Sequence, residues 1–149
     1  MLQRIVIIII VGLFASCCRN GGDIGFLWGT WKLESIEING ERDLQYQQNC
    51  FWKFQQNVIC IEAVNDESHE RTDHFGTWEL IDNGSKLVLY FNHKDDGTPE
   101  STGVYSPPSD IYINQKITML ELNRLKGDAF IANYLDSAGT LFVYLLIKY

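Results

Sequence analysis

The sequence lacks several features that would place it in common functional classes. Its longest apolar run, residues 5–14, falls well short of the roughly 20 residues that a membrane-spanning helix needs. Basic residues are also few, with 12 Lys and Arg against 19 Asp and Glu, for a formal net charge of −7. This net negative charge argues against nucleic acid as a partner, and it provides no electrostatic attraction to an anionic membrane surface.

Catalytic and cofactor motifs are absent as well. The chain contains no Cys-x-x-Cys pair, no glycine loop that would cradle a phosphate and no nucleotide fingerprint. Asp95-Asp96-Gly97 resembles a calcium loop only superficially, because the later ligands are missing. Serines and acidic residues are present, but none lies in a recognisable motif that pairs a nucleophile with a general base. We therefore predict that the protein is not an enzyme and uses no cofactor.

The three histidines, His69, His74 and His93, lie in or beside polar segments rich in Asp and Glu. Imidazole and carboxylate groups together can bind zinc. However, the spacing of these residues is not diagnostic of a site, and solvated loops explain it better. No metal site is predicted.

The N-terminal residues have the order of a secretory signal. Residues 1–4 carry a positive charge, residues 5–14 are apolar, and Ala15 and Ser16 are small. Phe14-Ala15-Ser16-Cys17 resembles the lipobox of bacterial lipoproteins, in which the cysteine becomes the acylated N-terminus; the departure is Phe14, where that family has leucine. We predict a signal peptide over 1–16, lipid attachment at Cys17, a lipidated tether over 17–25 and one domain over 26–149.

That resemblance implies a location in the cell envelope. Several acyl chains hold a protein on a membrane firmly, whereas a single chain binds reversibly. The expected location is therefore a membrane of the envelope, with the outer membrane favoured over the inner one.

The remainder of the chain reads as an all-β domain. Short segments rich in aromatic and branched residues alternate with turn signals, and no sustained helical period is present. The only helical turn expected lies at Asp43-Leu44-Gln45-Tyr46. The eight predicted strands are 28–38, 48–54, 58–64, 74–81, 86–92, 110–123, 129–135 and 140–148.

The connections between these strands fall into two groups. Residues 55–57, 82–85 and 126–128 make tight turns, whereas residues 39–47, 65–73 and 93–109 make long polar loops. In an up-and-down meander the two groups lie at opposite ends. Eight antiparallel strands in this order can close into a barrel, which removes the exposed sheet edges.

Cys50 and Cys60 flank the first tight turn, which is predicted near Gln55 and would place them opposite each other. An oxidising compartment permits a disulfide between them. Two buried free thiols are an equal alternative.

The segment Gly-Thr-Trp-x-Leu occurs twice, at residues 29–33 and 76–80. Together with Asp82-Asn83-Gly84 and the strand 112–122, it resembles the lipocalin-like domains of small bacterial (Bacteroidetes-type) lipoproteins. Alternatively, the repeat is a chance match between two strands of one barrel that are both rich in aromatic residues. The chain departs from ordinary lipocalins at 126–128, where they have Thr-Asp-Tyr, and offers only Lys148 as the basic residue that packs on the first tryptophan.

The resemblance implies a lipid-anchored binding protein that holds a small apolar or amphipathic ligand in the barrel. The alternative is a protein-interaction module, such as an envelope inhibitor or immunity-type lipoprotein, with no small ligand. Trp31 is expected to plug the tight-turn end, and Trp78 to point inward. The ligand-binding residues expected are Trp78, Phe91, Tyr112 and Tyr144 in the wall, with Arg42, His69 and Tyr105 at the mouth.

Overall fold

The computed structural model describes residues 25–65, 67–93, 105–125 and 128–149. Predictions for the signal peptide, Cys17 and most of the tether lie outside these residues. The strands are β1 (Gly29–Ile38), β2 (Glu41–Arg42), β3 (Cys50–Gln55), β4 (Val58–Val64), β5 (Arg71–Ile81), β6 (Lys86–Tyr90), β7 (Ile117–Arg124), β8 (Ala129–Leu135) and β9 (Leu141–Lys148).

The strands form one closed antiparallel barrel. Neighbours along the chain pair from β3 to β9, β1 pairs with β3, and β1 also pairs with β9. The two-residue strand β2 adds only a short hairpin to the end of β1. The eight-stranded up-and-down barrel expected from the sequence is therefore confirmed.

Alternation along the strands divides interior from exterior. In β8, for example, Phe130, Ala132 and Tyr134 are buried while the residues between them are less so. Strand side chains alternate between the two faces of a sheet, so one face of each strand supplies the core. The buried core residues that the structure describes all fall within residues 27–146, and this segment contains its own hydrophobic core.

The two ends of the barrel differ as the turn lengths predicted. Tight connections follow β3 and β5, and the described parts of the long connections, residues 43–49, 65, 67–70, 91–93 and 105–116, lie at the opposite end. Both the entry of the chain at Gly25 and its last residue, Tyr149, lie near the tight connections, because Tyr149 N–H donates to Thr30 O (3.0 Å) at the start of β1. We call the end of the barrel with the tight connections the tight-turn end, and the opposite end the loop end.

Two local predictions were wrong. The predicted sixth strand, 110–123, begins only at Ile117, and before it lies a 3-10 turn at Ser109–Ile111 that ends on Tyr112 in the left-handed region (φ 68°). The helical turn predicted at 43–46 does not form. Instead, the Asp43 carboxylate accepts the backbone N–H of Gln45 (2.9 Å), and such a local bond competes with helix formation.

Cys50 and Cys60 are free thiols rather than a disulfide. The first hairpin turns at residues 56–57, so Cys50 pairs with Ala63 and Cys60 with Lys53. Because the turn is displaced from the position expected at Gln55, the two side chains fall on opposite faces of the sheet. Cys50 is buried in the core and Cys60 is half-buried on the outside.

No helix in the part of the chain that the structure describes is long and apolar enough to cross a membrane.

Candidate functional site at the loop end

A short segment, residues 108–113, covers the loop end of the barrel, and we call it the cap. Its two isoleucines are buried, Ile111 at 3% and Ile113 at 0% exposure. The phenol of Tyr144, which lies fully buried in the barrel, donates a hydrogen bond to Ile111 O (2.9 Å). The cap is therefore fastened to the barrel interior beneath it.

A second bond ties the cap to the loop that follows β2. The hydroxyl of Tyr112 donates to the Asp43 carboxylate at 2.8 Å, joining residues 69 positions apart. The Tyr112 ring also stacks on Phe142, with 5.2 Å between ring centres. The hydrogen bond to Asp43, helped by burial, raises the pKa of Tyr112 above its usual value.

Two adjoining clefts open beside the Asp43–Tyr112 bond. The inner cleft has a volume of about 280 Å³ and reaches down to Cys50 and Ala63. The outer cleft, about 690 Å³, runs along β2 and is lined by Ile38, Arg42 and Leu44, among others. Asp43, Gln45 and Tyr112 line both clefts.

The floor of the inner cleft is held in place by hydrogen bonds. Tyr46 donates its hydroxyl to Leu33 O (2.7 Å) and accepts the backbone N–H of Cys50 (3.3 Å). Burial raises the pKa of Tyr46 well above its usual value. Burial likewise raises the pKa of Cys50 to about 12, although the neighbouring Trp52 indole opposes that shift. Both groups are therefore neutral at physiological pH.

The cleft combines apolar and hydrogen-bonding groups. Ile111, Ala63 and the neutral Cys50 thiol provide apolar surface, and Asp43 and Asp110 provide carboxylates. In the described residues no cationic side chain lies within ion-pair distance of either carboxylate. This arrangement suits a small amphipathic molecule; it contains no nucleophile with an activating base.

The wall residues expected from the sequence are only partly brought together. Tyr112 lines both clefts and Tyr144 lies beneath the cap. Phe91 packs instead against Gly76, where an added Cβ would lie 3.0 Å from its ring. Trp78 lies towards the tight-turn end, where it packs edge-on against Phe54 (5.2 Å) and donates to Val58 O (3.1 Å).

The expected mouth residues are also dispersed. Arg42 lines the outer cleft. His69 is exposed in the loop before β5, where its N–H donates to Asn65 O (2.9 Å). Tyr105 packs against His93, with ring centres 5.7 Å apart, and lines neither cleft.

Sequence reasoning missed four residues that shape the inner cleft, namely Asp43, Tyr46, Cys50 and Asp110. The pattern Asp43-Leu44-Gln45 fits a turn in which the aspartate caps its own backbone, and that signal was available. Nothing in the sequence indicates the partnership of Asp43 with Tyr112, because it depends on how the cap folds over the barrel.

Trp31 lies at the tight-turn end. It is 4% exposed, its indole donates to Leu27 O (2.7 Å), and its ring meets Phe130 edge-on at 4.7 Å. Lys148 lies over the same ring at 4.4 Å. The packing of Trp31 and Leu27 closes this end of the barrel interior.

In the described ranges, no three His, Cys, Asp or Glu side chains are grouped so that they could hold a metal ion. His74 Nδ1 lies 3.0 Å from Ser106 O. His74, in β5, therefore contacts the segment that precedes the cap.

Comparison with known proteins gives a family and a fold. A family model described as a lipocalin-like domain matches residues 12–133. No curated protein matches the chain. A lipocalin-like protein from Bacteroides uniformis has a similar structure, with a TM-score of 0.58 and 19% identity over 84% of this chain and 100% of that one.

Two bovine structures show weaker similarity. An odorant-binding protein complexed with its natural ligand is 13% identical, with a TM-score of 0.43 over 85% of this chain and 74% of that one. An odorant-binding protein from nasal mucosa is 12% identical, with a TM-score of 0.42 and the same coverage. At these values neither relationship supports an argument about ligands.

Proposed function

Because the chain belongs to the family of lipocalin-like domains, we propose that it is a lipid-anchored protein of the bacterial cell envelope that binds a small apolar or amphipathic ligand at the loop end. The lipocalin-like barrel is typically a binding fold rather than a catalytic one, and an eight-stranded barrel has room for one small ligand. The observation that carries the proposal is the inner cleft, which passes between the cap and the loop after β2 to reach Cys50.

The chemistry of the cleft defines the ligand class. An apolar part of the ligand would lie against Ile111, Ala63 and the Cys50 thiol. A polar or cationic group would remain near Asp43 and Asp110 at the mouth, where carboxylates accept hydrogen bonds. The arrangement therefore favours an amphipathic molecule over a wholly apolar one.

The Asp43–Tyr112 bond controls how far a ligand can enter. The cap is held on one side by Tyr112 and from beneath by Tyr144. Breaking the first bond would widen the inner cleft without disturbing the buried isoleucines. We propose that ligand entry involves release of Tyr112 from Asp43.

The proposed anchor is consistent with the direction in which the site opens. The chain enters the barrel at the tight-turn end, through residues 25–28. A tether from a lipid on Cys17 would thus approach this end and leave the loop end facing away from the membrane. The anchor itself rests on the lipobox-like sequence at residues 14–17.

A second function is favoured by the packing of the interior. Trp52, Phe54 and Tyr144 are fully buried in the barrel, with the Trp52 ring in contact with each of the other two, and the cap closes over them. A filled barrel with exposed loops is what an interaction module needs. In that case the acidic loops at the loop end would bind a protein partner.

Titration with N-phenyl-1-naphthylamine, a small apolar amine that fluoresces when it leaves water, separates the two functions. We expect saturable binding that Ala63→Leu weakens about tenfold, since the added side chain fills the inner cleft. Ala129→Leu, a matched change on β8, is half-buried and far from the cleft, and it should bind as the wild type does. Absence of saturable binding, or an equal loss in both variants, would leave only the interaction function.

A further inference from the structure

A separate cleft lies at the opposite end of the barrel. It has a volume of about 580 Å³ and we call it the base cleft. It is lined by Gly25, Phe26, Leu80, Asn83, Gly84, Leu122 and Arg124. None of these residues takes part in the loop-end site.

The base cleft combines an apolar wall with one cation. Phe26, Leu80 and Leu122 supply the wall, and the Arg124 guanidinium lies 5.1 Å from the centre of the Phe26 ring. Among the described residues, no carboxylate lies within ion-pair distance of Arg124. A guanidinium presents a planar set of donors that matches a phosphate. An apolar groove with such a cation at its edge suits an amphipath with an anionic head.

One exposed apolar side chain adjoins the base cleft in the chain: Leu125, which follows Arg124, is 39% exposed. Tyr149, at the same end of the barrel and 80% exposed, packs instead on Phe51 of β3 (5.1 Å between ring centres). Aromatic residues with a polar tip favour the boundary between water and lipid. The tight-turn end therefore presents exposed apolar side chains, with Leu125 next to Arg124 in the chain.

The charges of the chain are distributed unevenly. Glu41, Asp43 and Asp110 lie at the loop end. At the tight-turn end, Asp82 pairs with Lys86 (2.7 Å), while Glu121 and Asp128, which flank Arg124 in the chain, are exposed and have no ion pair among the described residues. Arg124 is therefore a single local cation at the base cleft rather than part of a basic face.

The point at which the chain enters the barrel indicates which partner lies near the base cleft. Gly25 and Phe26 line the base cleft themselves, and seven residues lie between Cys17 and Gly25. A fully extended chain would cover that separation in at most about 29 Å. With a lipid on Cys17, the membrane surface is always within reach of the base cleft.

We propose that the base cleft binds the phosphate headgroup of an anionic phospholipid in the anchoring membrane, so that the barrel stands with its tight-turn end on the lipid surface. The inference shares the lipid anchor with the proposed function but not the ligand of the loop end. It assigns Arg124 to the phosphate and the Phe26, Leu80 and Leu122 surface to the glycerol and first acyl carbons.

Vesicle sedimentation tests the proposal with the chain from Cys18 to Tyr149, which lacks the acylated cysteine and retains all described core residues. We expect binding to vesicles of phosphatidylglycerol and phosphatidylethanolamine, and little binding to phosphatidylethanolamine with phosphatidylcholine. Arg124→Glu should weaken binding about tenfold, Arg124→Gln less, and Leu125→Asp should also weaken it.

Matched changes at the loop end serve as controls. Lys116→Glu reverses one charge and Leu135→Asp alters an exposed leucine there, and both should sediment as the wild type does. Millimolar inorganic phosphate should not compete, because it lacks the apolar part.

Four results would overturn the proposal: equal binding to both vesicle types, equal losses in the controls, full competition by phosphate, or self-association that Leu125→Asp abolishes. A thermal melt of each variant verifies that it is folded. Titration of the same variants with N-phenyl-1-naphthylamine reports on the loop-end site alone, so failure of one proposal is distinguishable from failure of the other.

Discussion

The ammonium group of Lys148 lies 4.4 Å from the centre of the Trp31 ring. The same nitrogen donates a hydrogen bond to Trp28 O, and burial lowers the pKa of Lys148 below its usual value. The contact joins the end of β9 to the start of β1, the pair of strands that closes the barrel. Lys148 therefore supplies the basic residue that ordinary lipocalins place on their first tryptophan.

Replacing Trp31 with alanine should destabilise the barrel strongly. Its side chain is buried against Phe130 and Lys148, and truncation of a buried tryptophan costs about 3–5 kcal/mol. Lys148→Met should cost less, about 0.5–2 kcal/mol, because it removes the cation–π contact but retains the packing. Urea unfolding followed by circular dichroism measures both. A Trp31→Ala variant as stable as Lys148→Met would refute the role of Trp31 as the plug.

Tyr112→Phe should loosen the cap. The change removes the hydrogen bond to Asp43, and we expect a loss of about 0.5–1.5 kcal/mol in the free energy of unfolding. Association of N-phenyl-1-naphthylamine should become faster in stopped-flow measurements. Tyr90→Phe is the control, since Tyr90 donates to Glu79 on the outside of the barrel and its loss should leave the association rate unchanged. Equal association rates for wild type and Tyr112→Phe would rule out the proposed entry step.

The two barrel thiols should react slowly and in a fixed order. Burial, with a smaller contribution from Asp73, raises the pKa of Cys60 to about 11, and burial raises that of Cys50 to about 12. The thiolate is the reactive form, so at pH 8 both should react with a disulfide reagent far more slowly than in urea. In a chain that starts at residue 18 and carries Cys18→Ser, the half-buried Cys60 should react before Cys50. Rapid reaction of Cys50 in the native protein would show that the cap opens freely.

The same groups make the stability depend on alkaline pH. The pKa of Cys50, Cys60, Tyr46 and Tyr144 is raised in the folded protein, chiefly by burial. The unfolded chain releases these protons first, so their contribution is complete below about pH 9 and is lost as the pH rises towards 12. The urea midpoint should be nearly level from pH 7 to pH 8.5 and fall above pH 9. Replacing Cys50 with alanine should reduce the steepness of that fall, and an unchanged slope would contradict the assignment to Cys50.

Most of the barrel could be predicted from the sequence, because its strands and turns are determined by residues that are close together in the chain. Period-two alternation and the tight turns determine the strands, whereas the two glycines of the repeated Gly-Thr-Trp are required for different reasons. A Cβ on Gly29 would lie 2.8 Å from Lys148 Nζ, and one on Gly76 would lie 2.5 Å from Tyr90 O. Gly76 admits a close approach of backbone, whereas Gly29 is needed for its φ of +110°, because its neighbour is the movable end of Lys148. The two glycines therefore do not share one structural requirement.

The parts that could not be predicted depend on contacts between distant residues. The apolar alternation of residues 110–113 is typical of a strand, but Ile111 and Ile113 are buried because they cover the barrel mouth. The face of the sheet on which Cys50 or Cys60 lies depends on the position of the turn between them. That turn is displaced by less than two residues from the position expected at Gln55. The position of the site depends on the cap, so Asp43 and Tyr46 were missed. Trp78, expected in the wall, lies towards the tight-turn end.

Replacing Cys17 with serine tests the anchor. The resemblance to the lipobox predicts that Cys17 becomes the acylated N-terminus, so Cys17→Ser should abolish labelling by radioactive palmitate and release the protein from the membrane fraction. Cys18→Ser is the matched control and should be labelled like the wild type. A Cys17→Ser protein that is still labelled would show that the signal had been misread.

The location of the ligand is tested most directly by two-dimensional amide NMR during titration with N-phenyl-1-naphthylamine. The account predicts saturable shifts concentrated at Tyr46, Cys50, Ile111 and Tyr112, which surround the inner cleft, with little change at Trp31 or Leu122. Shifts concentrated at the tight-turn end, or no saturable shift at any concentration, would contradict the loop-end binding site.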